Sequence, residues 1–381
     1  MKVGATGLLV FGAAIVVAAE FVVIGLVPSM TAELALSPAQ GGSLIVVFAL
    51  ASALLGPVLV AVTARFRPAP VLATALMPFA ANLLLLPYPS FEMAVGLRVL
   101  QGAALPLFMS LAGAQLAIAR GAGAGIALLY VGVTIGGTLA LPAGAFAAAR
   151  FGWAVPMAAL GGFALIAAAA CLLLSHREPS DDSGTSWRLL GRGPMPAHLL
   201  LSTLIFAAMF TGFSYIALLL GRAGFNPDAV TIALLGFGAA GLAGNWLAGM
   251  LSRWALTATY GVVLAVVTAT AWLSLAVRLD AVAIGLVVLV WGVAHSAAFV
   301  FCQVRVMAPG FAGSLNISAA NIGIAIGAYA GGLAIEQGPF ALALTTSALA
   351  MCSIGVALWI DRPAGREDGP RESRSCDASL G

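Results

Sequence analysis

Charge is what this chain has least of: 8% of its 381 residues are Asp, Glu, Lys or Arg, against about a quarter in an ordinary soluble domain. Water cannot solvate a surface so poor in charge, which excludes a soluble globular protein. Chemistry-bearing residues are nearly as rare. The three histidines (His176, His198, His295) form no His-Glu-x-x-His arrangement, so a zinc protease is excluded. The four cysteines (Cys171, Cys302, Cys352, Cys376) lie far apart without metal-ligand or redox spacing and read as packing residues and a tail thiol. No Gly-rich phosphate loop ending in Lys-Ser/Thr is present, which disfavours ATP-driven work within the chain. The sequence therefore implies no enzyme, no metal site and no cofactor.

What is present is apolar. Hydrophobic residues make up 62% of the chain, gathered into runs of roughly the 17 to 25 residues that cross a bilayer as helices with every backbone hydrogen bond internal. A β-barrel would instead show short alternating segments. The 45 glycines fit helices packed closely in lipid, where apolar burial no longer drives association. Breaks at Pro, Gly and charge clusters predict twelve spans: 4–28, 40–64, 69–88, 91–118, 123–149, 153–175, 198–221, 228–252, 257–277, 281–304, 312–335 and 339–360. The first run is too long for a signal-peptide core and contains Glu20, so it reads as an uncleaved span. The expected organisation is a six-helix bundle over 1–175, a polar linker over 176–197, a second six-helix bundle over 198–360 and a tail over 361–381 too poor in apolar residues to fold alone.

Basic residues fix the expected orientation. With both termini inside, thirteen Lys and Arg side chains lie in inner loops and the tail, and three (Arg150, Arg222, Arg278) lie outside, the bias of a multi-pass protein of the bacterial cytoplasmic membrane. Topology accounts for these charges without a nucleic-acid partner. The acidic Glu33, Asp228, Asp280 and Glu336 fall on the outer side. A repeat is also legible. The second span ends Gly56, eight residues, Arg65, Phe66, and the eighth ends Gly244, eight residues, Arg253, Trp254, displaced by 188 residues (253 − 65). Two duplicated bundles would place a substrate site at their interface near the midplane.

Several stretches resemble the major facilitator superfamily, and within it the twelve-span drug:proton antiporter branch near bacterial arabinose, purine-nucleoside and chloramphenicol exporters. Glu20-Phe-Val-Val-Ile-Gly25-Leu-Val-Pro28 is similar to that branch's first span, and Arg98-Val-Leu-Gln101-Gly102 to the superfamily's fourth-span motif. Gly132, Gly136, Pro142 and Gly144 in the fifth span match the motif associated with antiporters. The stretches from Leu235 to Asn245 and from Leu315 to Gly332 resemble the branch's eighth and eleventh spans. Two positions depart from the pattern: Thr63-Ala64-Arg65-Phe66-Arg67 lacks an acidic residue, and Ala140 stands where the branch favours Gly. The resemblance implies a monomeric secondary transporter in lipid, exchanging a small molecule (drug, sugar or nucleoside) outward for protons. Facilitated import or substrate:proton symport on the same fold is the alternative.

Glu20 and Arg98 are the candidate proton-coupling pair, because an ionisable group inside a span needs a partner or a water-filled cavity. Glu20 lies eight residues before Pro28 and Arg98 eight after Ser90, so both sit roughly 12 Å below the outer surface. The resemblance places their helices side by side. Glu20 either exchanges a proton, with Arg98 setting its affinity, or contacts a cationic substrate, or is a static ion-pair partner or a carboxylate snorkelling toward the lipid surface. The glycines of spans five, eight and eleven read as close crossings, fixed or sliding, and Gln101 as a bond to a neighbouring helix. Phe210, Phe213, Tyr215, His295, Asn316 and Asn321 are the candidate substrate contacts, each with packing as the plainer reading.

Overall fold

The structure is a computed structural model that describes residues 3–120, 122–173, 195–251, 255–275, 280–306 and 311–361. All of the regular structure among these residues is helical. The helices are α1 (Val3–Glu33), α2 (Pro38–Thr63), α3 (Pro68–Ala80), α4 (Phe91–Arg120), α5 (Ala122–Phe151), α6 (Ala154–Leu172), α7 (Met195–Phe213), α8 (Ile216–Arg222), α9 (Pro227–Met250), α10 (Ala255–Ser274), α11 (Ala281–Val306), α12 (Phe311–Gln337) and α13 (Pro339–Ile360). Eleven are long and apolar enough to cross a membrane when α7 and α8 are taken as one span, and a shorter apolar stretch, Ala258–Ser274, completes twelve crossings. Large apolar side chains such as Leu54, Ile166, Ile232 and Val282 point outward, as a lipid-facing surface requires.

Local chemistry sets the ends. Ser37 and Gln40 form a reciprocal capping box at the start of α2, and Asn226 caps α9 by accepting from the Ala229 N–H. Proline stands at the first positions of α2, α3, α9 and α13, where a missing N–H does no harm. Gly152 and Gly338 take positive φ of 81° and 117° at the turns before α6 and α13.

Two expected spans differ in detail. The third is not one α-helix: after Pro78, which cannot donate within the ladder, the chain tightens into a 3-10 turn over Ala81–Leu85. The seventh breaks at Ser214–Tyr215 between α7 and α8, because Tyr215 leaves helical geometry with φ −120° and ψ 14° and sends its hydroxyl across to the Ala328 carbonyl, 2.9 Å away. Linker residues 195–197 belong to α7, while 174–194 and the tail 362–381 lie outside the described residues, as does Arg253.

The helices make two six-span bundles. In the first, α1 packs on α5 and α2 on α4; in the second, α7 packs on α12 and α9 on α11. Each second pair is the first moved on by six spans. The bundles meet along α2–α12 and α5–α9. With an even number of crossings, α1 starts and α13 ends on one face, called here the termini face; the opposite face is the distal face.

Candidate functional site

Between the bundles lies a small cavity, lined by Glu20, Phe21, Ile45, Phe48 and Arg98 from the first bundle and Phe210 and Ile324 from the second. Sequence depth counting placed Glu20 and Arg98 at one level, and the structure brings both to this cavity.

Their relation is not the direct pairing that the sequence suggested. Arg98 is fully buried. Its three kinds of donor all go to backbone carbonyls: Nε to Leu44 at 3.1 Å, one terminal nitrogen to Ala19 at 2.6 Å and the other to Glu20 at 3.1 Å. Its guanidinium lies 4.0 Å from the Phe48 ring centre, a favourable cation–π arrangement when water is excluded. Arg98 thus ties α4 to α1 and α2. The Glu20 carboxylate forms no ion pair among the described residues, although the two charges are near enough to attract. The physical reason is reach: with α4 close against its neighbours, the fork meets main-chain oxygens, and the Glu20 side chain is left to the cavity.

The motif residues explain that closeness. A Cβ on Gly102 would overlap the Phe48 carbonyl oxygen, and one on Gly56 would stand 2.5 Å from Pro106. Gln101, three residues after Arg98, donates to the Pro78 carbonyl at 3.2 Å and to the Asn82 side chain at 2.7 Å, bracing α4 against the end of α3. On α5, Gly132 and Gly136 lie on the Val10 and Ala14 carbonyls of α1, and Gly144 faces Val22. Pro142 leaves the Thr138 carbonyl without its usual i+4 donor. That carbonyl faces the other bundle, 3.0 Å from where a Cβ on Gly238 of α9 would stand. Gly244 lies on the Val293 carbonyl of α11. Arg65 is exposed beside its neighbour Phe66.

The candidate substrate contacts divide. Phe210 lines the cavity and stacks on Phe21 across the bundle boundary, ring centres 6.2 Å apart. Phe213 lies 4.1 Å from the His295 ring. Tyr215 and Asn316 are spent elsewhere, and Asn321 only in part. Tyr215 is clasped at the α2–α12 crossing and Asn316 accepts from Ser202 at 2.7 Å; Asn321 donates to the Ile317 carbonyl of its own helix at 3.0 Å, and its Oδ1 is buried without a partner. Two ring neighbours of His295, Phe237 and Phe299, escaped sequence reasoning, as did Trp291, whose ring lies against Phe237 and Phe213. Trp291, His295 and Phe299 recur every four residues, the signal of one helix face.

On the distal face the bundles are joined by polar contacts. Arg150 at the end of α5 pairs with Asp228 at the start of α9 at 2.8 Å, and Glu336 at the end of α12 accepts from the Ala39 N–H of α2 at 3.3 Å. Glu33 accepts from the Trp153 N–H at 3.3 Å and Asp280 caps α11 through Ala283 at 2.7 Å.

Comparison with known proteins agrees with this architecture. The profile of the Major Facilitator Superfamily matches residues 9–310. The fold superposes on a crystal structure of a variant of the nucleoside transporter NupG with a TM-score of 0.69 at 16% identity, over 92% of this chain and 98% of that one. It superposes on a D-xylose-proton symporter with a TM-score of 0.70 at 15% identity, over 93% and 97% of the two chains. Twelve apolar crossings in two repeated bundles around a charged central cavity are thus those of a multi-pass membrane transporter, and the chain belongs to the Major Facilitator Superfamily.

Proposed function

We propose that the protein is a proton-coupled exporter of a small molecule, working by alternating access, with Glu20 as the group that takes up and releases the proton. The observation that carries this reading is the division of labour around Arg98: its donors are held by three main-chain carbonyls, so the carboxylate beside it faces the cavity without an ion-pair partner. A half-buried carboxylate inside the bundles without an ion-pair partner is unfavourable until a proton or a ligand neutralises it. Arg98 supplies fixed positive charge, so movement of either helix retunes the affinity for that proton. Outward direction rests on the likeness of the fifth span to an antiporter motif, and cytoplasmic termini rest on the excess of Lys and Arg in the loops of the termini face. On this orientation the distal contacts close the outer side of a bacterial cytoplasmic-membrane protein.

Inverted vesicles test the reading. Energised by an imposed proton gradient and offered labelled sugars, nucleosides and hydrophobic drugs, they are expected to accumulate at least one compound, and Glu20→Gln abolishes that accumulation while leaving exchange down the substrate's own gradient. Gradient-driven accumulation at the wild-type rate in Glu20→Gln would remove the proton role. A second reading, substrate:proton symport inward, is favoured by the fold likeness to a D-xylose-proton symporter. It predicts that the imposed gradient empties inverted vesicles.

A further inference from the structure

We propose that His295 and its aromatic neighbours form a subsite for an uncharged planar heteroaromatic ring, with the His295 imidazole as the group that reads the polar edge of that ring. The inference rests on the transporter reading and names the substrate class for the same cavity.

Three helices build the subsite. The His295 ring of α11 lies 4.1 Å from Phe213 of α7, and 5.5 Å from Phe210 of α7, Phe237 of α9 and Phe299 of α11. His295 is 4% exposed, and its Nδ1 is buried without a hydrogen-bond partner. One turn earlier on the same helix, Trp291 carries a fully buried indole N–H that also lacks a partner, with its ring 6.1 Å from Phe237 and 6.5 Å from Phe213. A buried polar nitrogen left unpaired is unfavourable, because it has given up water and gained no partner. A structural histidine would spend that nitrogen on a neighbouring helix, as Asn316 spends its oxygen on Ser202. Here the surrounding groups are ring faces.

The site's position connects it to transport. Phe210 both borders the central cavity and faces His295, so it is the partition between them. The rings around His295 are packed against one another in this state, so the subsite forms only when Phe210 rotates away and bares the His295 ring to the cavity. Ring faces on several sides accept a flat π-system in offset or edge-on contact. A polyhydroxylated sugar would bring more hydrogen-bonding groups than the slot can satisfy. Glu20 and Arg98 also line the cavity; a neutral ring with a polar edge satisfies the orphaned nitrogen and leaves the Glu20 carboxylate to its proton.

The experiment measures binding to the full-length protein in lipid nanodiscs at neutral pH by isothermal titration calorimetry. The probes are benzimidazole, 1-methylbenzimidazole, naphthalene, D-xylose and tetraphenylphosphonium. Benzimidazole is expected to bind about tenfold more tightly than its N-methylated form or naphthalene, the worth of one hydrogen bond, with D-xylose and tetraphenylphosphonium weaker still. His295→Phe, which keeps a ring in the slot, should abolish the preference for benzimidazole over naphthalene without weakening naphthalene. His295→Asn, which restores a polar atom near the place of Nδ1, should recover part of it. A thermal unfolding midpoint equal to wild type identifies folded variants. Equal affinity of wild type for benzimidazole and naphthalene, a preference that survives His295→Phe, or tightest binding of the sugar or the cation each overturns the proposal. Selective benzimidazole binding with no gradient-driven movement of any compound would sink the transport reading and leave the subsite standing; gradient-driven transport without ring selectivity would do the reverse.

Discussion

The two bundles share their mechanics and differ in their chemistry. In the first, Gly132 and Gly136 of α5 lie on the Val10 and Ala14 carbonyls of α1; in the second, Gly323 and Gly327 of α12 lie on the Thr203 and Ala207 carbonyls of α7, with displacements of 191 and 193 residues. Gly102 on the Phe48 carbonyl is matched by Gly292 on the Phe237 carbonyl, displaced by 190 and 189. These are the same helix crossings made twice. Carried forward by those offsets, Arg98 falls on Val288 and Glu20 on Phe213. So the first bundle holds a buried cation and a cavity-facing carboxylate where the second holds an aliphatic side chain and a phenyl ring against His295. Duplication kept what a rocking scaffold needs, close backbone crossings that have no side chain to jam. It did not keep charge, which would be unfavourable twice over in lipid and is required once.

The widest gap between the bundles should appear on removing the matched residues at Arg98 and Val288. Arg98→Ala leaves the Leu44, Ala19 and Glu20 carbonyls without the guanidinium and is expected to destabilise the fold by about 3–5 kcal/mol, whereas Val288→Ala, a packing loss, costs about 1 kcal/mol. Unfolding of both variants in detergent by denaturant or heat measures the difference; equal losses would mean that Arg98 has no special structural part. The next comparison should show no gap at all. Gly136→Ala and Gly327→Ala each drive a Cβ into a carbonyl oxygen, so each should lose about 1–3 kcal/mol, read as matching falls in folded yield and melting temperature. A tolerated alanine in only one bundle would break the equivalence. The smallest effect concerns the join between them. Arg150 and Asp228 are 39% and 68% exposed, so Arg150→Ala should change stability by less than about 1 kcal/mol. A cysteine pair at the two positions, bridged by a bifunctional thiol reagent long enough to replace the Arg side chain, should nevertheless arrest transport until the bridge is cleaved. Cross-linking without arrest would mean that the distal face stays closed throughout the cycle.

Much of this was legible in the sequence, for reasons that can be named. Apolar runs of bilayer length marked the spans, and residue counting along two helices put Glu20 and Arg98 at one depth because α-helical rise is constant. The acceptors of Arg98 were not legible, since every residue carries a carbonyl and none is distinguished by its side chain. The break at Tyr215 was hidden for a related reason: Gly42 and Gly332 make room for that side chain from distant parts of the chain, and a Cβ on Gly332 would stand 2.6 Å from its hydroxyl. The aromatic cluster that includes His295 was half visible. Trp291 and Phe299 follow the period of α11, whereas Phe237 arrives from α9 through packing alone.

The carbonyl cradle of Arg98 has a consequence for how the protein is made. Its acceptors, Ala19, Glu20 and Leu44, belong to α1 and α2, which leave the ribosome before α4. Synthesis from the N-terminus therefore delivers the host before the guest: when the fourth span carries its guanidinium into the bilayer, the oxygens that hold it are already there. Were the order of these spans permuted, the same contacts would have to form after a bare cation had entered hydrocarbon, and the step that insertion finds hardest would come with nothing waiting to receive it.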